Sequence, residues 1–504
     1  HAEKLIDDKT NLRDGDVSVF LRLGSDSKSN YYEYEVPLSL TEPGNYSTYN
    51  AQDQEAVWPQ SNMFDFPLSL FTDLKLERNA KKRMDNSTVT FQTRYSSYDP
   101  DKNQNKVTIV GNPSLSDVRT MMIGVRNNSN AAKDIVVWVN EMRLTDFDQS
   151  GGWAAKANVN LGLSDIAMLN IAGHVETVGF GGIDQSLTER RLDDYYQYNI
   201  ATMVELGRFL PEKVKLKAPL FYSITEQRTS PKYNPLDQDI LLKDALDNAG
   251  SKAERDSISD ASIEKSTVES FSLSGVSFDI RSKNPMPYDP ANFSISYSYN
   301  RQSKQDPTTE FENTYDYRGS FTYSYTPFVK PFVPLKGLKS KSKHLKFLKE
   351  WEFNYLPNNI AFNTNMSRYY YEQQIRDVSG SGGMALPTSV SKSFLWDRQF
   401  SLTWNLTKSI NLSLQTMTNA HIEEPVGVVN KQLFPDEYEA WKDTVLTSIK
   451  NLGTPWNYNQ TFNASYTAPF SKIPVLDYLS FNAKYNATYT WDRGAQISEE
   501  IDLG

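Results

Sequence analysis

The sequence predicts an all-β protein in two textures. Residues 1–147 read as a soluble β-sandwich or jelly-roll domain. Residues 148–504 read as long antiparallel strands of a very large transmembrane β-barrel, with a few helices in its loops. Three observations carry this. Short β-rich runs separated by turn clusters fill the first part. Long stretches in which every second residue is apolar fill the rest. The change falls within one stretch, Trp138-Val139-Asn140-Glu141-Met142-Arg143-Leu144-Thr145-Asp146-Phe147-Asp148-Gln149-Ser150-Gly151-Gly152-Trp153.

The short runs occupy residues 17–23, 31–36, 66–76, 89–91, 107–110, 120–125 and 135–144. Pro43-Gly44-Asn45, Asp99-Pro100-Asp101 and Asn127-Asn128-Ser129-Asn130 punctuate them, as turn chemistry requires. The dense run Ile135-Val136-Val137-Trp138-Val139 suits a strand buried between two sheets. It falls far short of the ~20 residues of a membrane-spanning helix.

From Trp153 the alternation is long. It runs through residues 155–163, then Val214, Leu216, Ala218, Leu220, Tyr222 and Ile224, then Phe293, Ile295, Tyr297 and Tyr299. It continues at Phe321/Tyr323/Tyr325, Phe400/Leu402/Trp404/Leu406, Ile410/Leu412/Leu414 and Phe462/Ala464/Tyr466, and closes with residues 479–491. The intervening positions are mostly Ser, Thr, Asn and Lys, so one face of each strand is apolar and the other wet. Many segments reach the ~9–11 residues that a tilted strand needs to cross a bilayer, and roughly a dozen fit between 155 and 491. A soluble sandwich also alternates, but not in a dozen long runs in succession. At Gly275 the apolar phase slips by one residue, the mark of a β-bulge.

The connections alternate between tight and long. Thr407-Lys408-Ser409 is a turn, whereas residues 418–455 form a long connection. Within it Tyr438, Trp441, Val445 and Ile449 lie at near-helical spacing, stopped before Gly453. Tyr325-Thr326-Pro327-Phe328 is echoed by Tyr466-Thr467-Ala468-Pro469-Phe470. If both echoes lie at one side of the membrane, residues 351–371 form a single strand kinked at Leu356-Pro357, and the proline-rich connections face the periplasm.

Composition narrows function. With 62 Asp+Glu against 53 Lys+Arg the chain is mildly acidic, which argues against nucleic acid as a partner. The absence of cysteine removes disulfides, thiolate metal sites and Cys nucleophiles. Four scattered histidines (His1, His174, His344, His421) give no metal-ligand spacing. The segment Asp99 to Asn105 starts like a calcium loop but has Gln104 where glycine is needed, so a hairpin turn is expected. Asn234-Pro235-Leu236-Asp237-Gln238-Asp239 offers two carboxylates before an apolar run, read as helix capping. Gly179-Phe180-Gly181-Gly182 reads as a flexible loop without phosphate-loop context. The lysines at 336, 339, 341, 343, 346 and 349 fit either a membrane-surface helix or a solvated loop. No catalytic, metal-binding or cofactor-binding residues are expected, and no enzyme. Because the chain starts at His1, it is expected to be an internal piece of a longer protein.

The stretch from Trp138 to Trp153 closely resembles the signature of the SprA/Sov family, giant outer-membrane translocon barrels of the type IX secretion system of Bacteroidota. Leu206-Gly207-Arg208-Phe209-Leu210-Pro211-Glu212-Lys213, the segment Ser230 to Ile240, and Asn457-Tyr458-Asn459-Gln460-Thr461-Phe462-Asn463 are also similar to stretches of that family. The resemblance covers about residues 100–504. It implies an outer-membrane, protein-conducting channel at the cell surface, linked to gliding motility, that exports folded cargo carrying C-terminal sorting domains. It implies as partners those cargo proteins, a PorV-like shuttle barrel at a lateral gate, a periplasmic plug protein, other segments of the same large barrel, and the lipid bilayer. Trp138, Asn140, Glu141, Arg143, Asp146, Gly151, Gly152 and Trp153 would then be structural residues at the domain–barrel junction. The rival readings are a soluble or surface-attached carbohydrate-binding adhesin and a nutrient-transporter barrel.

Overall fold

The computed structural model describes residues 1–335, 337, 349–377, 386–473 and 476–494. The basic run at 336–349 lies outside these except for Lys349. The chain is mostly β and divides into two compact units. One comprises residues 1–154, 176–194 and 229–263; the other comprises 155–175, 195–228 and 264–504.

The first unit is built on β1 (Ala2–Lys4), β2 (Val17–Gly24), β3 (Tyr31–Pro37), α1 (Ala51–Val57), α2 (Ser69–Lys82), β4 (Tyr95–Tyr98), β5 (Lys106–Val110), β6 (Thr120–Asn127) and β7 (Ile135–Val137). Five strands form an antiparallel sheet in the order β4-β5-β3-β2-β6, and β1 pairs with β7. The expected hairpin turn joins β4 to β5, with the amide of Asp101 donating to Asp99 Oδ1 at 2.9 Å. Alternation sends Leu21, Leu23, Tyr32, Tyr34, Val36, Val107 and Ile109 to one face, where Phe71 and Leu74 of α2 meet them. Val17, Val19 and Leu38 pack with Ile135 and Val137 of the β1–β7 ribbon. The second layer is therefore a helix and a two-stranded ribbon, not the second full sheet that a sandwich reading expects.

Two segments differ from the sequence expectation. Residues 66–76, read as a strand, lead into helix α2. Its buried residues Phe71, Leu74, Lys75 and Arg78 are spaced at i, i+3, i+4 and i+7, a helical stripe hidden in a run dense enough to satisfy both periods. Residues 135–144, read as one buried strand, pair only over Ile135–Val137, where the ladder ends at Ala2↔Val137. Beyond it, Trp138, Val139, Met142 and Leu144 are exposed.

The remaining strands are β8 (Ala154–Leu163), β9 (Ala167–Glu176), β10 (Asp193–Glu205), β11 (Leu216–Lys217), β12 (Pro219–Pro231), β13 (Tyr233–Asn234), β14 (Asp237–Leu241), β15 (Glu264–Phe278), β16 (Phe293–Gln305), β17 (Thr309–Tyr325), β18 (Asn359–Ile375), β19 (Ser389–Asn405), β20 (Ile410–His421), β21 (Thr454–Thr467) and β22 (Asn482–Asp492). Between them lie α3 (Leu242–Asp247), α4 (Lys252–Ser262) and α5 (Pro435–Lys450), the last where the helical spacing placed it. Twelve long strands follow one another in a single sheet, β8-β9-β10-β12-β15-β16-β17-β18-β19-β20-β21-β22, with β11 pairing β15 off the path. The sheet is not closed: among the described residues, β8 and β22 each have one neighbour. The dozen strands read from alternation are matched in number.

Details follow local chemistry. The expected bulge is present: the β15–β16 register shifts between Leu273 and Val276, and Gly275 sits at φ +63°, a left-handed backbone that glycine adopts without strain. The run read from Val214 is broken instead, because Glu212–Val214 is a 3-10 turn and Lys215 is left-handed, so the long strand starts at Pro219. Residues 351–358 do not belong to the kinked strand expected there, and β18 starts at Asn359. Phe353 bridges Phe332, and Asn354 is held by Leu406 and Trp404. A single strand does separate β17 from β19, so the two proline echoes leave the sheet at the same end.

Candidate functional site

The twelve-stranded sheet carries its chemistry in its two faces. Register aligns Tyr325, Ile360, Leu402, Leu414, Phe462 and Ala487 as one row across β17 to β22. One residue along each strand, the row reads Ser324, Ala361, Ser401, Gln415, Thr461 and Thr488. Directly paired residues share a face and adjacent residues take opposite faces, so the sheet has an apolar side and a polar side. A second apolar row, Phe293, Tyr323, Phe362 and Phe400, backs onto Ser294, Thr322, Asn363 and Gln399.

Moving along this face, the next row is Ile295, Phe321, Thr364 and Arg398, and farther on the rows turn aromatic and charged. Tyr299, Tyr317, Arg368 and Phe394 are aligned, and the following row is Arg301, Tyr315, Tyr370 and Lys392. From Ile360 to Arg368 the strand rises ~27 Å at ~3.4 Å per residue, close to the ~25 Å height of an outward apolar band in a membrane barrel. No helix among the described residues is long and apolar enough to cross a membrane, which does not bear on crossing by strands.

In the first unit the two carboxylates read as helix caps do other work. Asp237 and Asp239 lie on β14 and clasp Lys75 of α2, whose Nζ is 2.5 Å from Asp237 Oδ1 and 2.9 Å from Asp239 Oδ1. Nζ also donates to Pro113 O at 2.8 Å, and Lys75 is fully buried. Asp239 Oδ2 accepts from the Tyr32 hydroxyl at 2.6 Å and the Leu115 amide at 3.2 Å. Burial, reinforced by the Asp239 charge, pushes the Tyr32 phenol far above its usual range, so it remains a donor. Burial likewise raises Asp237, against the pull of Lys75. A second clasp joins Arg83 to Glu254 of α4 at 3.0 Å. Residues 229–263 are thereby fastened to the sheet-covering helix as an arm.

The signature residues have a different setting. Trp138 donates its amide to His1 O at 2.9 Å and leaves its ring exposed. Glu141 and Arg143 pair at 3.1 Å at the surface, and Asp146 is left-handed at φ +53°. Asn140 is exposed, as is Trp153, whose amide donates to Thr177 Oγ1 at 2.8 Å. Gly151 has open space where a side chain would go, whereas a Cβ on Gly152 would lie 2.3 Å from the Phe180 amide nitrogen. Facing it, Gly179 sits at φ +83° with Ser150 O 2.5 Å from the place of its Cβ. Gly152 and Gly179 are thus an interlocked pair, and the loop read as merely flexible has a fixed steric role. Asp148, beside these, bonds Lys232 at 2.6 Å, and that bond holds its carboxyl well below the usual range. Sequence reasoning missed Lys75, Tyr32 and Lys232, whose partners are distant in sequence.

No group of three or more His, Cys, Asp or Glu residues among the described residues could hold a metal ion.

Two predictions follow from the buried clasp. Lys75→Met leaves the buried Asp239 and the half-buried Asp237 carboxylates without their cation, and urea unfolding should show about 3–5 kcal/mol lost from the first unit. The triple variant with Asp237→Asn and Asp239→Asn should recover most of it. Because the folded-state value of Asp237 is raised above the ordinary 3.8, folding around it favours the protonated form. Its contribution is therefore fully present below about 3.8 and is lost as pH rises through its raised folded-state value. Asp237→Asn should flatten that part of the unfolding-midpoint profile.

Compared with known proteins, residues 1–246 match the SprA_N family, described as a motility related/secretion protein. None of the curated proteins matches the chain.

Proposed function

We propose that this chain, whose residues 1–246 belong to the SprA_N family of motility-related secretion proteins, supplies part of the wall of an outer-membrane, protein-conducting channel. The observation that carries the reading is the twelve-strand meander with one apolar and one polar face. In a bilayer the apolar side meets acyl chains, and the polar side lines the water-filled path. The family is one of secretion and motility rather than of enzymes, which agrees with a conduit that does no chemistry.

The polar face supports passage of folded cargo. Its side chains, mostly Ser, Thr, Asn and Gln, present weak, interchangeable hydrogen bonds, so cargo slides without being trapped. The open edges support a larger assembly. An unpaired strand edge in hydrocarbon leaves N–H and C=O groups unsatisfied, each at a cost of several kcal/mol. Strands β8 and β22 therefore take further strands, from other segments of the same large barrel. On this reading a shuttle barrel of the PorV kind receives cargo at a lateral gate and a periplasmic plug closes the resting pore.

Paired substitutions on β18 test the wall. Phe362→Arg puts a charge on the apolar side, within the band, and should cost up to about 2–4 kcal/mol and impair outer-membrane assembly. Asn363→Arg, on the polar side, should assemble normally and shift the ion selectivity of the reconstituted pore toward anions. Normal assembly of Phe362→Arg together with failure of Asn363→Arg would reverse the two faces and contradict the reading.

A further inference from the structure

The connection between β20 and β21 folds back onto the apolar face of the sheet instead of standing free. Glu424, in that connection, accepts from Arg368 Nε at 2.8 Å and from the Trp441 indole of α5 at 2.6 Å. The Arg368 guanidinium is 4.9 Å from the Trp441 ring centroid and 5.3 Å from that of Tyr370. The Val429 amide donates to the Tyr370 hydroxyl at 3.1 Å, and Lys392 Nζ donates to the carbonyls of Pro425 and Gly427. Arg368, Tyr370 and Lys392 all belong to the apolar side of the sheet, in the aromatic and charged rows that end the apolar band. Residues 425–434 therefore sit at that end of the band, over the apolar side of the sheet.

This loop presents to its surroundings what a water-facing loop avoids. Val426 is fully exposed, Leu433 is 68% exposed and Phe434 42%. Lys431 stands beside them over the Tyr438 ring. Helix α5 is different: Tyr438, Trp441, Val445 and Ser448 turn inward, while Asp436, Glu437, Glu439 and Asp443 are exposed. Lys442, Leu446 and Lys450 are exposed on the helix as well, so its surface is mixed, with acidic residues in the majority, whereas the apolar side chains of the loop are grouped together.

We propose that residues 425–434 are an interfacial anchor, with Val426, Leu433 and Phe434 entering the headgroup region of the bilayer in which the sheet stands. This rests on the membrane-wall reading above. The physical basis is that of interfacial elements generally: apolar side chains enter just below the headgroups and a flanking lysine stays at phosphate level. The Arg368–Glu424 pair fixes the height of the loop on the strand. The loop thereby grips the membrane from outside the conduit, and cargo does not meet it.

The chain has no cysteine, so a single introduced thiol can report depth. Leu433→Cys and Phe400→Cys are each labelled with NBD and the protein is reconstituted into phosphatidylglycerol-containing vesicles. Quenching is read with headgroup-proximal spin-labelled lipid, chain-deep spin-labelled lipid and an aqueous cobalt salt. The anchor predicts that the Leu433 label is quenched several-fold more by the headgroup-proximal lipid than by cobalt, and the Phe400 label chiefly by the deep lipid. Quenching of the Leu433 label by cobalt alone, with Phe400 still lipid-quenched, overturns the anchor and leaves the wall. Shielding of the Leu433 label from lipid and cobalt alike also overturns it, since the loop is then covered by protein. If neither label is lipid-quenched, the wall reading falls and the anchor with it.

Discussion

Backbone pairing in fixed register is the constraint on which everything else in the long sheet depends. Each inner strand gives its N–H and C=O groups to two neighbours, and antiparallel pairing locks residue to residue. Tyr325 faces Ile360, Ile360 faces Leu402 and Leu402 faces Leu414. A slip of one residue in any strand would move its whole apolar set to the polar side. The slip within the apolar run of β15, at Gly275, occurs at a residue that can adopt the left-handed backbone and lets β15 resume its apolar phase, while the shifts at Thr309/Phe311 and Asn419/Ala420 lie near strand ends. One mostly apolar and one polar face result, the apolar side interrupted by Thr364, Arg398, Thr416 and Gln460.

The first unit depends on a different kind of interaction. Its sheet is small, and much of its stability comes from α2 closing one face through Phe71 and Leu74. The same buried stripe of the helix carries Lys75, which the aspartates of β14 enclose, with the Tyr32 hydroxyl bonded to Asp239 beside it. A buried ion pair of this sort adds little over a well-packed apolar contact but penalises every arrangement in which one partner is missing. It therefore specifies where residues 229–263 must sit. The Gly152–Gly179 pair specifies in another way, by excluding side chains where two backbone segments touch.

The sequence made the one-sided strands legible because alternation is a local property. Residues 482–492 or 293–305 display their faces without reference to any other part of the chain. Helix α5 was equally plain, its inward residues set at helical spacing between a proline and a glycine. Helix α2 was not, because in the 66–76 run apolar residues satisfy both periods and only burial against the sheet decides. The clasp was invisible for a separate reason: Lys75 and Asp239 are 164 positions apart, and nothing in either local sequence announces the other. Strand 135–144 was overread because strength of β-propensity says nothing about whether a neighbour is present to pair. The signature residues were found by resemblance, yet only Gly152 among them shows a tight steric requirement.

The most direct test of the wall is a thiol-accessibility scan along β18, one cysteine at a time from residue 360 to 367, in the assembled protein in native membranes with a charged, membrane-impermeant maleimide. The account predicts a two-residue rhythm, with Ala361, Asn363, Asn365 and Ser367 labelled and Ile360, Phe362, Thr364 and Met366 protected, since only the polar face meets water. Equal labelling at all eight positions, or the opposite rhythm, would contradict it.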